Sequence, residues 1–191
     1  KRLIDELDNP VMHDDQHGTA VVVLAALLNA ATLVGKDLAG LKVVIAGAGA
    51  AGIAITEILL AQGIDDVVLM DSRGIVSRER DDLNAIKAGY AGRTNPRGLI
   101  GGPKDALEGA DVFVGVSGGT IPEEHLTELA EDAIVSDENA RLLVVTGFSG
   151  IHRIIKPVTS FPHRDIRCAH AATFQFYTNL SFTGFRKFDF F

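Results

Sequence analysis

The hexapeptide G-A-G-A-A-G at Gly47–Gly52 joins two apolar runs of different character, and it leaves the chain few ways to fold. Ahead of it, Leu41–Ala46 (L-K-V-V-I-A) is short and almost unbroken in apolarity, as a strand buried on both faces is. Behind it, Ala50–Gln62 has the length and spacing of a helix that stops at Gly63. The link must therefore turn a buried strand sharply into a helix. Gly47 permits the turn, Gly49 keeps the backbone bare for a close approach, and Gly52 allows the helix to pack tightly on the strand. The helix start offers unpaired N–H groups and a partial positive charge. Gly47, Ala48, Gly49, Ala50, Ala51 and Gly52 together thus read as a cradle for the pyrophosphate of a dinucleotide.

The next strand, Val67–Met70, completes a βαβ unit and ends at Asp71, nineteen residues past Gly52. A carboxylate there accepts hydrogen bonds from the adenosine ribose hydroxyls, which favours NAD. Ser72 and Arg73 follow at once, and an arginine in this place can pair instead with the extra phosphate of NADP, so both cofactors stay open. The alternation continues through a helix over Asp81–Ala88, a Gly/Pro-rich loop to Pro103, a strand over Val112–Val116 and a helix over Pro122–Glu131. Ser117, with two glycines after it, falls at the carboxyl edge of such a sheet, beside the cofactor, unless it belongs to an ordinary glycine loop. The expected fold class is α/β: a Rossmann-like doubly wound parallel sheet with flanking helices, incomplete at its C-terminal side.

The formal charge of −7 argues against a nucleic-acid partner. A single cysteine, Cys168, excludes an internal disulfide and points to a reducing, cytoplasmic setting. Thr19–Val34, the most apolar segment, is shorter than the roughly 20 residues a bilayer span needs, so it reads as a core helix and not a membrane anchor. Charge and composition change late in the chain. Residues Ile151–Phe191 carry six Lys/Arg against two Asp, a net +4, which leaves −11 on the first 150 residues. Eight of the ten phenylalanines fall in Phe161–Phe191, so Ile151–Phe191 reads as a basic, Phe-rich tail, frame-shifted or foreign to what precedes it.

Just before the apolar helix stands H-D-D-Q-H-G-T-A, His13–Ala20. Asp14 and Asp15 are consecutive, and in an extended segment they would face opposite ways and do different work. Oxygen ligands suit Mg²⁺ or Mn²⁺, so one carboxylate reads as a metal ligand and the other as a substrate-facing group. The plainer alternative is a helix-capping Asp with a solvated neighbour. Two histidines and two carboxylates within five residues do not converge tetrahedrally, which argues against zinc.

The segment N-P-V-M-H-D-D-Q-H-G-T-A, followed by V-V-I-A-G-A-G-A-A-G-I-A, V-L-M-D-S-R-G and A-L-E-G-A-D-V-F-V-G-V-S-G-G, closely resembles the bacterial type of malic enzyme from about Lys1 to Val135. The resemblance implies oxidative decarboxylation of L-malate to pyruvate and CO₂ with NAD or NADP, dependent on Mg²⁺ or Mn²⁺ acting as a Lewis acid. It implies Asp15 as a metal ligand lying next to the nicotinamide, Asp14 as a substrate-side group assisting proton transfer, and Ala48–Ala51 at the pyrophosphate. It further implies a homo-oligomer in the intact family. The family also uses an upstream tyrosine, a lysine and a Glu-Asp pair of metal ligands, and a downstream A-N-P segment and asparagine pair. None of these is found in this sequence, so the chain is expected to be inactive alone, with the family's NAD(P)-binding domain over residues 1–135 and a divergent segment over residues 136–191. The alternative is an NAD-binding module without catalysis.

Overall fold

The computed structural model describes residues 6–117, 121–136 and 142–145. A wide π-helical turn, Asp14–Gly18, leads directly into helix α1, Thr19–Val34, which ends at Gly35 in the left-handed conformation (φ 68°). Then follow β1 (Val43–Ala46), α2 (Ala50–Ala61), β2 (Val67–Asp71), β3 (Gly74–Ile75), α3 (Ala85–Ala91), α4 (Pro103–Leu107), β4 (Val112–Gly115), α5 (Glu123–Leu126), β5 (Ala133–Ser136) and β6 (Leu142–Val145). The strands form one sheet in the order β3-β2-β1-β4-β5-β6. The four inner strands run parallel, and β3 and β6 close the two edges antiparallel.

Alternate residues of each inner strand feed separate cores, which is why these strands are apolar at nearly every position. Val43, Ile45, Val67, Leu69, Val112, Val114 and Ile134 join α1 and α2 on one face. Val44, Ala46, Val68, Met70, Phe113, Ala133 and Val135 join α4 and its neighbours on the other. The Rossmann-like doubly wound arrangement expected from the sequence is thus the observed one, with antiparallel edges added.

Several boundaries move for local reasons. The Asp81–Ala88 helix begins only at Ala85, because Asn84 caps it by accepting the Lys87 N–H at 2.9 Å while Asp82 is held outside by arginines. The presumed loop to Pro103 gives way to α4, whose Asp105 accepts the Gly102 N–H at 2.8 Å. The Pro122–Glu131 helix shrinks to α5. The acidic pair is helical, so Asp14 and Asp15 are not turned to opposite sides as an extended segment would place them. With that turn, the continuous helix Asp14–Val34 reaches 21 residues and is long and apolar enough, by length and composition, to cross a membrane, longer than the segment read from sequence. Its inner face, Ala20 to Ala31, is nevertheless buried against α2 and the sheet as a core helix is. Ser136 completes β5, and β6 extends the sheet to Val145. Residues 146–191, the basic Phe-rich tail, lie outside the described residues.

The direction of α1 fixes where the acidic turn lies. Lys36, just past its end, meets Asp111 Oδ1 at 2.5 Å, and Asp111 directly precedes β4 at the amino edge of the parallel strands. Sixteen helical residues rise about 24 Å, more than the span of these strands. The start of α1 and the Asp14–Gly18 turn are therefore at the carboxyl edge, where the turn packs against α2.

Candidate dinucleotide site

The strand order reverses between β1 and β4, and in open α/β sheets the crevice at such a switch point receives the ligand. The glycine turn fills one side of it. Gly47 has φ 131°, and a Cβ there would lie 3.0 Å from the Val116 carbonyl and 3.2 Å from Ser117 Cβ, so Ser117 does sit against the turn. A Cβ on Gly52 would fall 1.8 Å from the Gly47 carbonyl oxygen, which is the close helix packing anticipated for it. Gly49 differs, since nothing lies within 4 Å of its missing Cβ. Helix α2 opens there without a side-chain cap, its first helical bond running from the Ile53 N–H to the Gly49 carbonyl at 3.0 Å. The N–H groups of Ala50, Ala51 and Gly52 precede that bond. Ala48 is buried while Gly49 and Ala50 are exposed. A bare backbone, open space and an uncapped positive helix end fit a pyrophosphate.

At the end of β2, Asp71 is placed as expected but occupied. Its side chain is only 9% exposed. Oδ1 accepts from the Arg73 N–H at 2.9 Å and from Arg80 Nη1 at 2.8 Å, and Oδ2 from Lys87 Nζ at 2.5 Å and Arg80 Nη2 at 3.4 Å. A carboxylate has about four acceptor positions, and all are taken. Burial works to raise the Asp71 pKa, but the hydrogen bonds from Arg80, Lys87 and the Arg73 N–H outweigh it and hold the group at about 2. Arg80 also donates to both oxygens of Asp82, at 2.8 and 2.7 Å. That contact lowers the Asp82 pKa and raises that of Arg80. A cavity of ≈ 210 Å³ opens here, lined by Asp71, Ser72, Arg73, Asp82, Asn84 and Lys87. Asp71 thus stands at the end of β2, where the sequence puts it, with two cations, Arg80 and Lys87, held on its carboxylate. Arg80 and Lys87 escaped the sequence reading because the loop after β2 brings them back from nine and sixteen residues away.

The acidic turn carries both predicted carboxylates on its exposed side. His13 is extended, and its carbonyl accepts the Gln16 and His17 N–H groups at 3.1 and 2.8 Å while its own N–H donates to His17 Nδ1 at 3.1 Å. Asp15 lies 3.9 Å from His13 Nδ1 and its side chain is 87% exposed. Among the described residues no three His, Cys, Asp or Glu side chains converge as metal ligands, so Asp15 alone does not make a metal site.

Sheet order, glycine turn and uncapped helix define a dinucleotide-binding domain of the Rossmann type. The family model for the malic enzyme NAD-binding domain matches residues 16–131, and the chain belongs to the malic enzyme family. It is 51% identical over 136 residues to the NAD-dependent malic enzyme of Geobacillus stearothermophilus, covering 71% of this chain and 28% of the relative. It is 39% identical over 191 residues to the bifunctional malic/malolactic enzyme of Bacillus subtilis, covering 89% of this chain and 47% of the relative. That alignment takes in more of the chain than residues 1–135 contain. The crystal structure of the NAD-dependent malic enzyme of Thermotoga maritima superposes with a TM-score of 0.66 at 45% identity, covering 70% of this chain and 36% of that one. The chain therefore spans between about a quarter and a half of the length of these relatives.

Proposed function

We propose that this chain carries the dinucleotide half of an enzyme that oxidises L-malate and decarboxylates the product to pyruvate and CO₂. The observation that carries the reading is the placement of the Asp14–Gly18 turn and the Gly47–Gly52 turn at one edge of one sheet, the first packed on the helix that the second opens. Bound NAD(P) would take the hydride from C2 of malate, and the substrate hydroxyl would give up its proton. On the protein side, Gly49 and the start of α2 hold the pyrophosphate, Ser117 borders it, Asp14 serves the substrate side, and Asp15 is one ligand to Mg²⁺ or Mn²⁺. The described residues do not complete that metal site, and the chain alone is expected to turn over malate at no more than trace rates. An assay of the purified chain with L-malate, Mn²⁺ and either cofactor checks this; robust reduction would overturn it. We further read the protein as cytoplasmic, and as belonging to a homo-oligomer when the family's full complement of residues is present.

Cofactor choice follows from the clamped Asp71. With its acceptor positions filled, the carboxylate has nothing left for ribose hydroxyls. Three cations, Arg73, Arg80 and Lys87, surround two carboxylates, Asp71 and Asp82. A 2′-phosphate supplies the missing negative charge, so the site reads as preferring NADP over NAD. The second reading is a dinucleotide-binding module without chemistry, and the isolated position of Asp15 favours it. Under that reading Asp15→Ala changes no measurable property of the chain, whereas any loss of metal-dependent behaviour excludes it.

A further inference from the structure

Gly18 is the last residue of the π-helical turn, and its backbone gives no reason for it to be glycine. Its φ and ψ are −61° and −49°, ordinary right-handed helix that any residue adopts more readily than glycine does. The reason is space. A Cβ at position 18 would fall 2.1 Å from Asp14 Oδ1 and 3.0 Å from Asp14 Cγ, so the carboxylate of Asp14 already occupies the place where a side chain would begin. The turn beneath it is pinned in both directions by residues 13 and 17: the His13 carbonyl accepts the His17 N–H, and His17 Nδ1 accepts the His13 N–H. Both acidic side chains sit in the first turn, where the helix dipole favours negative charge. They nevertheless part company. Asp14 folds back over Gly18, while Asp15 stands out in solvent near His13.

From this we infer that Gly18 is a positioning residue: its missing side chain selects the folded-back rotamer of Asp14 and so separates the task of Asp14 from that of Asp15. The inference rests on the reading of Asp14 as the substrate-side group. It concerns how that group is aimed and not which reaction it serves. The obstructing atoms belong to the far end of a flexible side chain. A methyl group at position 18 therefore displaces the carboxylate and leaves the backbone where it is.

That asymmetry gives a test a purely structural glycine could not pass. In the full chain, labelled with ¹³C and ¹⁵N, three-bond couplings to Asp14 Cγ report its χ1. The parent chain is expected to show one dominant rotamer and Gly18→Ala to lose it, while Tm stays level or rises by about 1–4 °C, since alanine suits helical backbone better than glycine. In an Asp14→Ala background nothing is left to displace, so Gly18→Ala should then raise Tm by at least as much as it does alone. An unchanged Asp14 rotamer in Gly18→Ala would overturn the inference, as would a fall in Tm in both backgrounds. The same spectra recorded with L-malate report on the underlying reading separately. Malate shifts centred on residues 14–18 support Asp14 as the substrate-side group, malate shifts that fall elsewhere and spare these residues count against it, and the rotamer result is unaffected by either.

Discussion

At Asp71 four donor contacts meet one carboxylate, and both its acid sensitivity and the proposed preference for NADP are argued from that geometry. The folded-state pKa of about 2 lies below the ordinary 3.8, so the clamp contributes stability that is fully present above about pH 4 and is lost as pH falls towards 2. The contribution is on the order of 1–2 kcal/mol once solvent screening at the cavity mouth is allowed for. Asp71→Asn should therefore lower stability at pH 7 and flatten the acid limb of a denaturant-midpoint series between pH 4 and pH 2. An unchanged limb would mean that the clamp is not formed in solution. Lys87 is the more informative position for binding. Lys87→Gln removes a cation from the cavity and frees one acceptor position on Asp71 Oδ2, so NADPH affinity should fall about tenfold or more while NADH affinity holds or improves. Equal losses for both cofactors would show that Lys87 serves the fold and not the 2′-phosphate. The presence of Asp71 at the end of β2 was legible from its distance past Gly52. Its saturation was not, because Arg80 and Lys87 reach it through a loop whose path no local pattern specifies.

The strand-turn-helix element β1–α2 separates packing from binding within six residues. Gly52 has the backbone carbonyl of Gly47 where its side chain would be, and Gly49 has nothing there. Gly52→Ala should accordingly destabilise the chain by about 3 kcal/mol or more, because backbone and not side chain must yield. Gly49→Ala should leave the thermal midpoint within a degree or two and weaken NADPH and NADH alike, since both carry the same pyrophosphate. Paired melting curves and ligand titrations distinguish the two; a Gly49→Ala chain that binds normally would remove the pyrophosphate from this turn. This element was the most legible part of the sequence, because a buried strand, three spaced glycines and an apolar helix each constrain the others. The acidic turn was legible as chemistry and not as shape. H-D-D-Q-H-G carries no hydrophobic period, and its helical turn is held by a side-chain contact between His13 and His17 and by docking against α2, which hydrophobic spacing does not reveal. The short β3 and α4 were missed for a related reason, since two paired residues and five helical ones are too few to show a period.

For the whole molecule, a six-stranded sheet brings Gly47–Gly52, Asp71, Ser117 and the Asp14–Gly18 turn to one edge from positions up to about a hundred residues apart. The doubly wound order was readable from the alternation of apolar runs. The antiparallel edges were not, because strands of two and four residues at the rim of a sheet carry no pattern that fixes their direction. Ligand binding decides whether this chain, spanning between about a quarter and a half of the length of its relatives, assembles a working dinucleotide site. The chain contains no tryptophan, so the ligand's own fluorescence is the signal to follow. Titrating the purified protein into NADPH, and separately into NADH, should give saturable enhancement with both and tighter binding of NADPH. Saturation with neither would contradict a dinucleotide site at the Gly47–Gly52 turn, and tighter binding of NADH would contradict the preference inferred from the clamped Asp71.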